Sequence, residues 1–132
     1  MTSYLVDTSA WIEYARDTGS PSCEYVDRLI RDDHAVHLTE PVIMELLAGA
    51  GPRTIDQTEK LVGAFPILQV HAQLDYHEAA KIYRMTRWSG FTPRSMIDCL
   101  IAAVAARNEV TVVHGDRDFR FIAERYPLAV AP

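Results

Sequence analysis

The chain has 132 residues, 48% of them apolar, and carries 13 basic and 18 acidic side chains for a net charge of −5. That length suits one domain with one core, residues 1–132, and the acidic balance excludes a molecule that draws polyanions to its whole surface. No apolar run approaches the ~20 residues needed to span a bilayer, and the first residues lack the basic region of a secretory signal. A soluble cytoplasmic protein with no membrane partner is the expectation. Two distant cysteines argue against a disulfide framework or a structural zinc.

Residues 4–7 read as a short buried strand that ends on Asp7. Thr8-Ser9 then open a helix carrying Ala10, Trp11, Ile12 and Tyr14, and residues 17–21 break it. Residues 23–33 set Tyr25-Val26 and Leu29-Ile30 at helical spacing, with Cys23 expected as a helix-surface thiol. Residues 35–38 form a second strand. Thr39-Glu40-Pro41 start the next helix, with proline in its first turn, and Gly49-Ala50-Gly51 end it. Residues 54–65 read as a helix, 66–70 as a third strand and 73–88 as a long amphipathic helix. Gly90 and Pro93 mark 89–93 as a loop. Residues 95–107 are apolar nearly all round, so they form a buried helix in which Cys99 is a small core residue. Residues 110–113 form a fourth strand, 118–125 a last short helix and 128–130 a candidate fifth strand. Short apolar strands alternating with helices predict a parallel sheet covered on both faces.

Four acids sit where such a chain usually carries something apolar. Asp7 ends Tyr4-Leu5-Val6. Glu45 interrupts Val42-Ile43-Met44 and Leu46-Leu47. Asp98 interrupts Met96-Ile97 and Cys99-Leu100-Ile101. Asp116 follows the run 110–113 after His114-Gly115. Each has a local explanation. Asp7-Thr8-Ser9 is helix-capping chemistry, and Ser95-Met96-Ile97-Asp98 matches a capping box. Asp116 and Asp118 are also good turn residues. Glu45 has no Lys or Arg within a helical turn.

In a parallel sheet the carboxyl ends of the strands share one edge, so Asp7 and Asp116 lie on one rim, where ligands bind. Two carboxylates ~4 Å apart repel by roughly 4 kcal/mol at an effective dielectric of ~20. Four of them need protons or a divalent cation. Oxygen ligands favour Mg²⁺ or Mn²⁺ over zinc, and Mg²⁺ takes its remaining ligands from water and phosphate. The site itself therefore suggests phosphoryl chemistry by metal-activated water and in-line displacement.

Val6-Asp7-Thr8-Ser9-Ala10, the mid-helix Glu45, Asp98-Cys99-Leu100-Ile101-Ala102-Ala103 and Gly115-Asp116-Arg117-Asp118-Phe119 together resemble the PIN domain of VapC-type toxin ribonucleases. The resemblance covers essentially the whole chain, with the four motifs in family order. It implies a three-layer α/β/α domain with a parallel sheet of four to five short strands, acting as a metal-dependent endoribonuclease toxin. Asp7, Glu45, Asp98 and Asp116 would be the catalytic and metal-binding quartet around Mg²⁺ or Mn²⁺. Asp118 would be an auxiliary acid, with Thr8 or Ser9 a hydroxyl near the metal or phosphate. It also implies an RNA substrate, a VapB-like antitoxin lying in the active-site groove, and a homodimer. One position departs from the pattern: His114 stands where the family often has Thr, Ser or Asn. Its ring either hydrogen-bonds the backbone or serves phosphate or a carboxylate.

Residues 1–80 hold 5 basic and 13 acidic side chains, and residues 81–132 hold 8 and 5, so one face could meet RNA. Arg84, Arg87 and Arg94 bracket Trp88 and Phe91 just before the helix of Asp98. Arg87 and Arg94 are the expected phosphate contacts, against the alternative of solvated arginines over core-capping aromatics. Other function classes fit less well. A receiver module needs a late lysine, and only Lys60 and Lys81 exist. A haloacid-dehalogenase-like phosphatase needs Asp-x-Asp, where Asp7 is followed by Thr8-Ser9. A non-catalytic module that kept the fold would not need metal.

Overall fold

Among the described residues, 2–132, the computed structural model holds four strands and seven helices. Strand β1 (Ser3–Val6) leads into α1 (Thr8–Ala15) and α2 (Pro21–Arg31). Strand β2 (Ala35–His37) is followed by α3 (Glu40–Gly49), α4 (Ile55–Val62), α5 (Leu74–Trp88) and α6 (Met96–Arg107). Then come β3 (Thr111–Val113), α7 (Arg117–Ala123) and β4 (Val130–Ala131). No described helix is long and apolar enough to cross a membrane.

The sheet order is β2-β1-β3-β4, and every pairing is parallel. Leu5, Val6, Val112 and Val113 are fully buried, as strands covered on both faces must be. The chain steps from β1 to β2 on one side and then returns past β1 to β3 on the other. Right-handed crossovers therefore put α1 and α2 on one face and the helices between β2 and β3 on the other, giving three layers. The strand order reverses between β1 and β3, and a crevice opens there at the carboxyl ends. Val6 pairs with Val113, and the Asp7 N–H donates to the Val113 carbonyl at 2.9 Å.

Local chemistry fixes the helix ends near this rim. Ser20 caps α2 by accepting from the Cys23 N–H at 3.1 Å, with Pro21 in the first turn. Helix α6 is buried from Asp98 to Ala105, and α5 packs along it through Ala79 and Ile82. Past its end Glu109 takes φ 54°, which turns the Val110 N–H back to the Ala105 carbonyl at 3.1 Å. The same end is tied to α5: Arg107 donates through Nε and Nη2 to the buried Asp75 carboxylate, both at 2.8 Å.

Three expectations need correction. The strand expected over 66–70 shrinks to a single parallel bridge between Leu38 and Ile67. The reason lies in its neighbours. After Leu68 bonds Leu38, the Arg107 guanidinium takes the Gln69 carbonyl at 2.9 Å and Glu40 takes the Val70 N–H at 2.8 Å. Backbone groups satisfied by side chains have nothing left for a ladder. The last strand lies at Val130–Ala131 rather than 128–130, so the sheet has four strands. Cys23 is buried, not on the surface, because Ser22, Cys23, Val26 and Leu29 form the inward face of α2.

Candidate active site

The first side of the site is the start of α1. Asp7 is its N-cap: one carboxylate oxygen, Oδ2, accepts from the Ser9 N–H at 3.0 Å and from the Ser9 hydroxyl at 2.5 Å. The other oxygen, Oδ1, is buried and has no hydrogen-bond partner. Burial pushes the Asp7 carboxyl up to about 6; the Ser9 bonds oppose this and the Glu45 charge adds to it. Ser9 also accepts the Gly115 N–H at 3.0 Å, which ties α1 to the loop after β3. Thr8 donates its hydroxyl to Glu45 Oε1 at 2.7 Å, and so holds the α3 carboxylate against the start of α1.

The second side is formed by α6 and α7. Asp98 lies in the first turn of α6 and is buried. The capping box is only half made: the Ser95 hydroxyl accepts from the Ile97 N–H at 3.1 Å. Among the described residues the Asp98 carboxylate takes no hydrogen bond, so it is free for the site. Burial, and then the charges of Asp7, Asp116, Asp118 and Glu45, push its carboxyl up to about 8. Asp116 caps α7, with Oδ1 accepting the Asp118 N–H at 2.9 Å. Asp118 is fully buried; its Oδ2 accepts the Arg94 N–H at 3.0 Å and its Oδ1 has no hydrogen-bond partner. Asp98, Asp116 and Asp118 each offer an oxygen within 4.8 Å of the other two.

The sequence-derived quartet thus reaches one rim, but its tightest part is Asp98 with Asp116 and Asp118. Asp118 stands inside that group rather than beside it. Asp7 and Glu45 border it, and the charges of both act on Asp98. His114 is buried, and its Nδ1 accepts the Asp116 N–H at 3.3 Å. The ring therefore bonds backbone and orients the Asp116 loop, and burial lowers its pKa. Cys99, just after Asp98, has its thiol pushed up to about 12, mainly by burial, which removes it as a nucleophile.

The Arg94 guanidinium reaches the acids from an exposed side chain. Its Nη2 donates to Asp116 Oδ1 at 2.7 Å, and its Nε lies 3.5 Å from Asp118 Oδ1. Arg87 lies over the Tyr83 ring at 5.6 Å, and Arg84 over the exposed Trp88 at 6.0 Å. Phe91 stacks on Phe121 at 4.1 Å, so it belongs to the packing beneath the loop. Two partnerships carried no sequence signal, Thr8 with Glu45 and Ser9 with Gly115. They join residues 37 and 106 positions apart.

This arrangement fits a divalent cation. Two buried carboxylate oxygens lack hydrogen bonds, the donors are all oxygen, and burial, with repulsion between the acids added to it, raises Asp7 and Asp98. A surface cavity of about 1200 Å³ lies elsewhere, between the Asp75 end of α5, Arg107 and Tyr126. None of the acids above lines it.

The PIN domain family matches residues 4–125. The chain is 46% identical over 121 residues to VapC ribonuclease Mb1587 of Mycobacterium bovis, covering 90% of each. The same figures hold for ribonuclease VapC11 of Mycobacterium tuberculosis. Among solved structures, the DNA-bound VapBC of Salmonella typhimurium matches with a TM-score of 0.77 at 18% identity, over 99% of this chain and 98% of that one. VapBC-5 of Mycobacterium tuberculosis matches with a TM-score of 0.68 at 23% identity, over 98% of each.

Proposed function

The chain belongs to the PIN-domain family, among the VapC ribonucleases, and on that premise we propose that it cleaves RNA at the Asp98 rim as the toxin of a toxin–antitoxin pair. Residues 1–132 act as one catalytic domain in this reading. The observation that carries it is Asp98, a buried carboxyl without a hydrogen bond, pressed by four other acids on the switch-point edge of a parallel sheet. Such a site is costly unless a cation completes it.

Asp98, Asp116 and Asp118, bordered by Asp7 and Glu45, would hold Mg²⁺ or Mn²⁺. The ion would supply activation of water for in-line attack on a phosphodiester and offset charge on the transition state. The chain's own residues do the positioning. Ser9 keeps one Asp7 oxygen occupied and leaves the other free. Thr8 fixes Glu45, and the His114 ring holds the Asp116 loop. Arg87 and Arg94 contact substrate phosphates, and the exposed Trp88 offers a face on which an unpaired base can stack. In-line attack of water with the 3′ oxygen as leaving group would release a 3′-hydroxyl and a 5′-phosphate.

A VapB-like antitoxin and a second copy of the chain are the protein partners in this reading. Unpartnered apolar surface suits both: Met44, Tyr76 and Met96 are about half exposed. A groove of about 410 Å³, lined by Pro41, Met44, Val70, Tyr76, Ile97 and Leu100, lies beside the helices of Glu45 and Asp98.

The test is incubation of the purified protein with total RNA and Mg²⁺, beside Asp7→Asn and Asp98→Asn. Discrete fragments that vanish on chelation and in both variants are expected. Cleavage that survives both substitutions overturns the reading.

A further inference from the structure

Among the described residues, Arg94 is the only basic side chain that pairs with any of the five clustered acids. Its Nη2 bonds Asp116 Oδ1 at 2.7 Å, its Nε lies 3.5 Å from Asp118 Oδ1, and its backbone N–H bonds Asp118 Oδ2 at 3.0 Å. The two contacts differ in kind. The backbone bond is anchored, because Pro93 and Asp118 are buried. The guanidinium is not, because the Arg94 side chain is 62% exposed. A cation on an anchored backbone, held by its exposed side chain through these two ion pairs alone, can leave without disturbing the fold.

The guanidinium also lies beside the place that a metal would use. The oxygens of Asp98, Asp116 and Asp118 lie within 4.8 Å of one another, so an ion among them sits close to a guanidinium on Asp116. A divalent and a monovalent cation at that separation repel strongly, and both draw on the same carboxylates. We propose that Arg94 is an internal counter-cation that a divalent metal displaces, and that the released guanidinium then takes a phosphate of the RNA. The inference rests on the metal-dependent ribonuclease reading above.

The geometry gives the exchange a direction. The bond from the Arg94 N–H to Asp118 keeps the swing within one side chain's length of the acids. A phosphate bound at the metal lies inside that radius, and the planar guanidinium fork matches two phosphate oxygens. Arg94 thereby closes the metal-free site to its substrate and couples metal uptake to RNA binding. It is a positioning residue: it neutralises the acids in one state and orients phosphate in the other.

The experiment measures Mn²⁺ binding by calorimetry, without RNA, for the full chain and for Arg94→Ala and Arg94→Lys. Removing the competing charge should tighten Mn²⁺ binding about 5-fold or more in Arg94→Ala, while Arg94→Lys stays near the parent. In the unaltered chain, saturating Mg²⁺ should raise the yield of the phenylglyoxal adduct at Arg94 in peptide mass spectra, with Arg84 as the internal control. Unchanged or weaker binding in Arg94→Ala, or an adduct yield indifferent to Mg²⁺, overturns the inference alone. A parent chain that binds no Mn²⁺ overturns the ribonuclease reading, and the inference with it.

Discussion

Replacing Asp98 by Asn should stabilise the metal-free protein while abolishing its activity, and the gain should grow with pH. In the folded chain burial and four neighbouring acids raise the Asp98 carboxyl from 3.8 to about 8. Between those values the folded protein binds a proton that the unfolded chain has released, so stability falls as pH rises. Below pH ~4 the group costs nothing, and above pH ~8 the cost is complete. At about 1.4 kcal/mol per pH unit, the cost at pH 7 is about 4 kcal/mol, and at pH 5 about 2 kcal/mol. Water entry and local relaxation reduce both roughly by half. Asn has the shape of the protonated acid and never ionises, so the variant escapes the cost. Asp7, raised to about 6, adds to the same trend in both proteins up to that pH. The assay is urea unfolding in chelator at pH 5, 6, 7 and 8. The variant should exceed the parent by about 2 kcal/mol at pH 7 and by about 1 kcal/mol at pH 5. Mg²⁺ should then stabilise the parent at pH 7 and leave the variant unchanged. A variant no more stable than the parent at pH 7, or a difference independent of pH, would refute the reasoning.

The other expectations are local. Arg107→Ala leaves the buried Asp75 unpaired and should cost about 3 kcal/mol of stability by chemical unfolding, with cleavage per folded molecule unchanged. Ser9→Ala removes the hydroxyl hydrogen bond to Asp7 and keeps the backbone N–H bond, so the Asp7 carboxyl rises further, and half-saturation with Mn²⁺ at fixed metal should move to higher pH. Trp88→Ala should weaken binding of single-stranded RNA by about 1–3 kcal/mol and leave the unfolding midpoint unchanged, because the ring is 72% exposed. Asp7→Ala should lose about 1 kcal/mol of helix-cap stability that Asp7→Asn keeps. Both should fail to bind Mn²⁺, as read by calorimetry.

Much of this site was legible in the residues, but not all for the same reason. Asp7 and Asp116 follow strands of a parallel sheet, so the fold class alone places them on one edge. Glu45 and Asp98 stand inside helices, and periodicity says nothing of where a helix end arrives. Their convergence depends on α3 and α6 crossing the sheet, and only the family resemblance anticipated it. The failure at 66–70 has a similar origin. Its composition suits a strand, but Glu40 and Arg107, 30 and 38 positions away, take the backbone groups that pairing needs. Arg94 reads from the sequence as a phosphate contact beside the site, and in the structure its guanidinium meets Asp116. Its partner Asp116 lies 22 positions on, beyond any local rule.

The helix-capping and metal-site explanations for these acids looked like rivals, and the atoms show that they need not be. A carboxylate has two oxygens. Asp7 caps α1 with Oδ2 and keeps Oδ1 buried and unpartnered. Asp118 spends Oδ2 on the Arg94 N–H and keeps Oδ1 without a hydrogen bond, 3.5 Å from the Arg94 Nε. Asp116 caps α7 with Oδ1 and holds Arg94 with the same atom, which leaves Oδ2. Capping thus orients each group and selects the oxygen that faces the site. Helix starts at α1, α6 and α7 also bring their positive dipole ends to the acids, which eases the crowding of negative charge. The same dipoles oppose a cation and favour an anion. A rim built this way holds its metal less tightly than five bare carboxylates would, and it suits the phosphate that must arrive beside it.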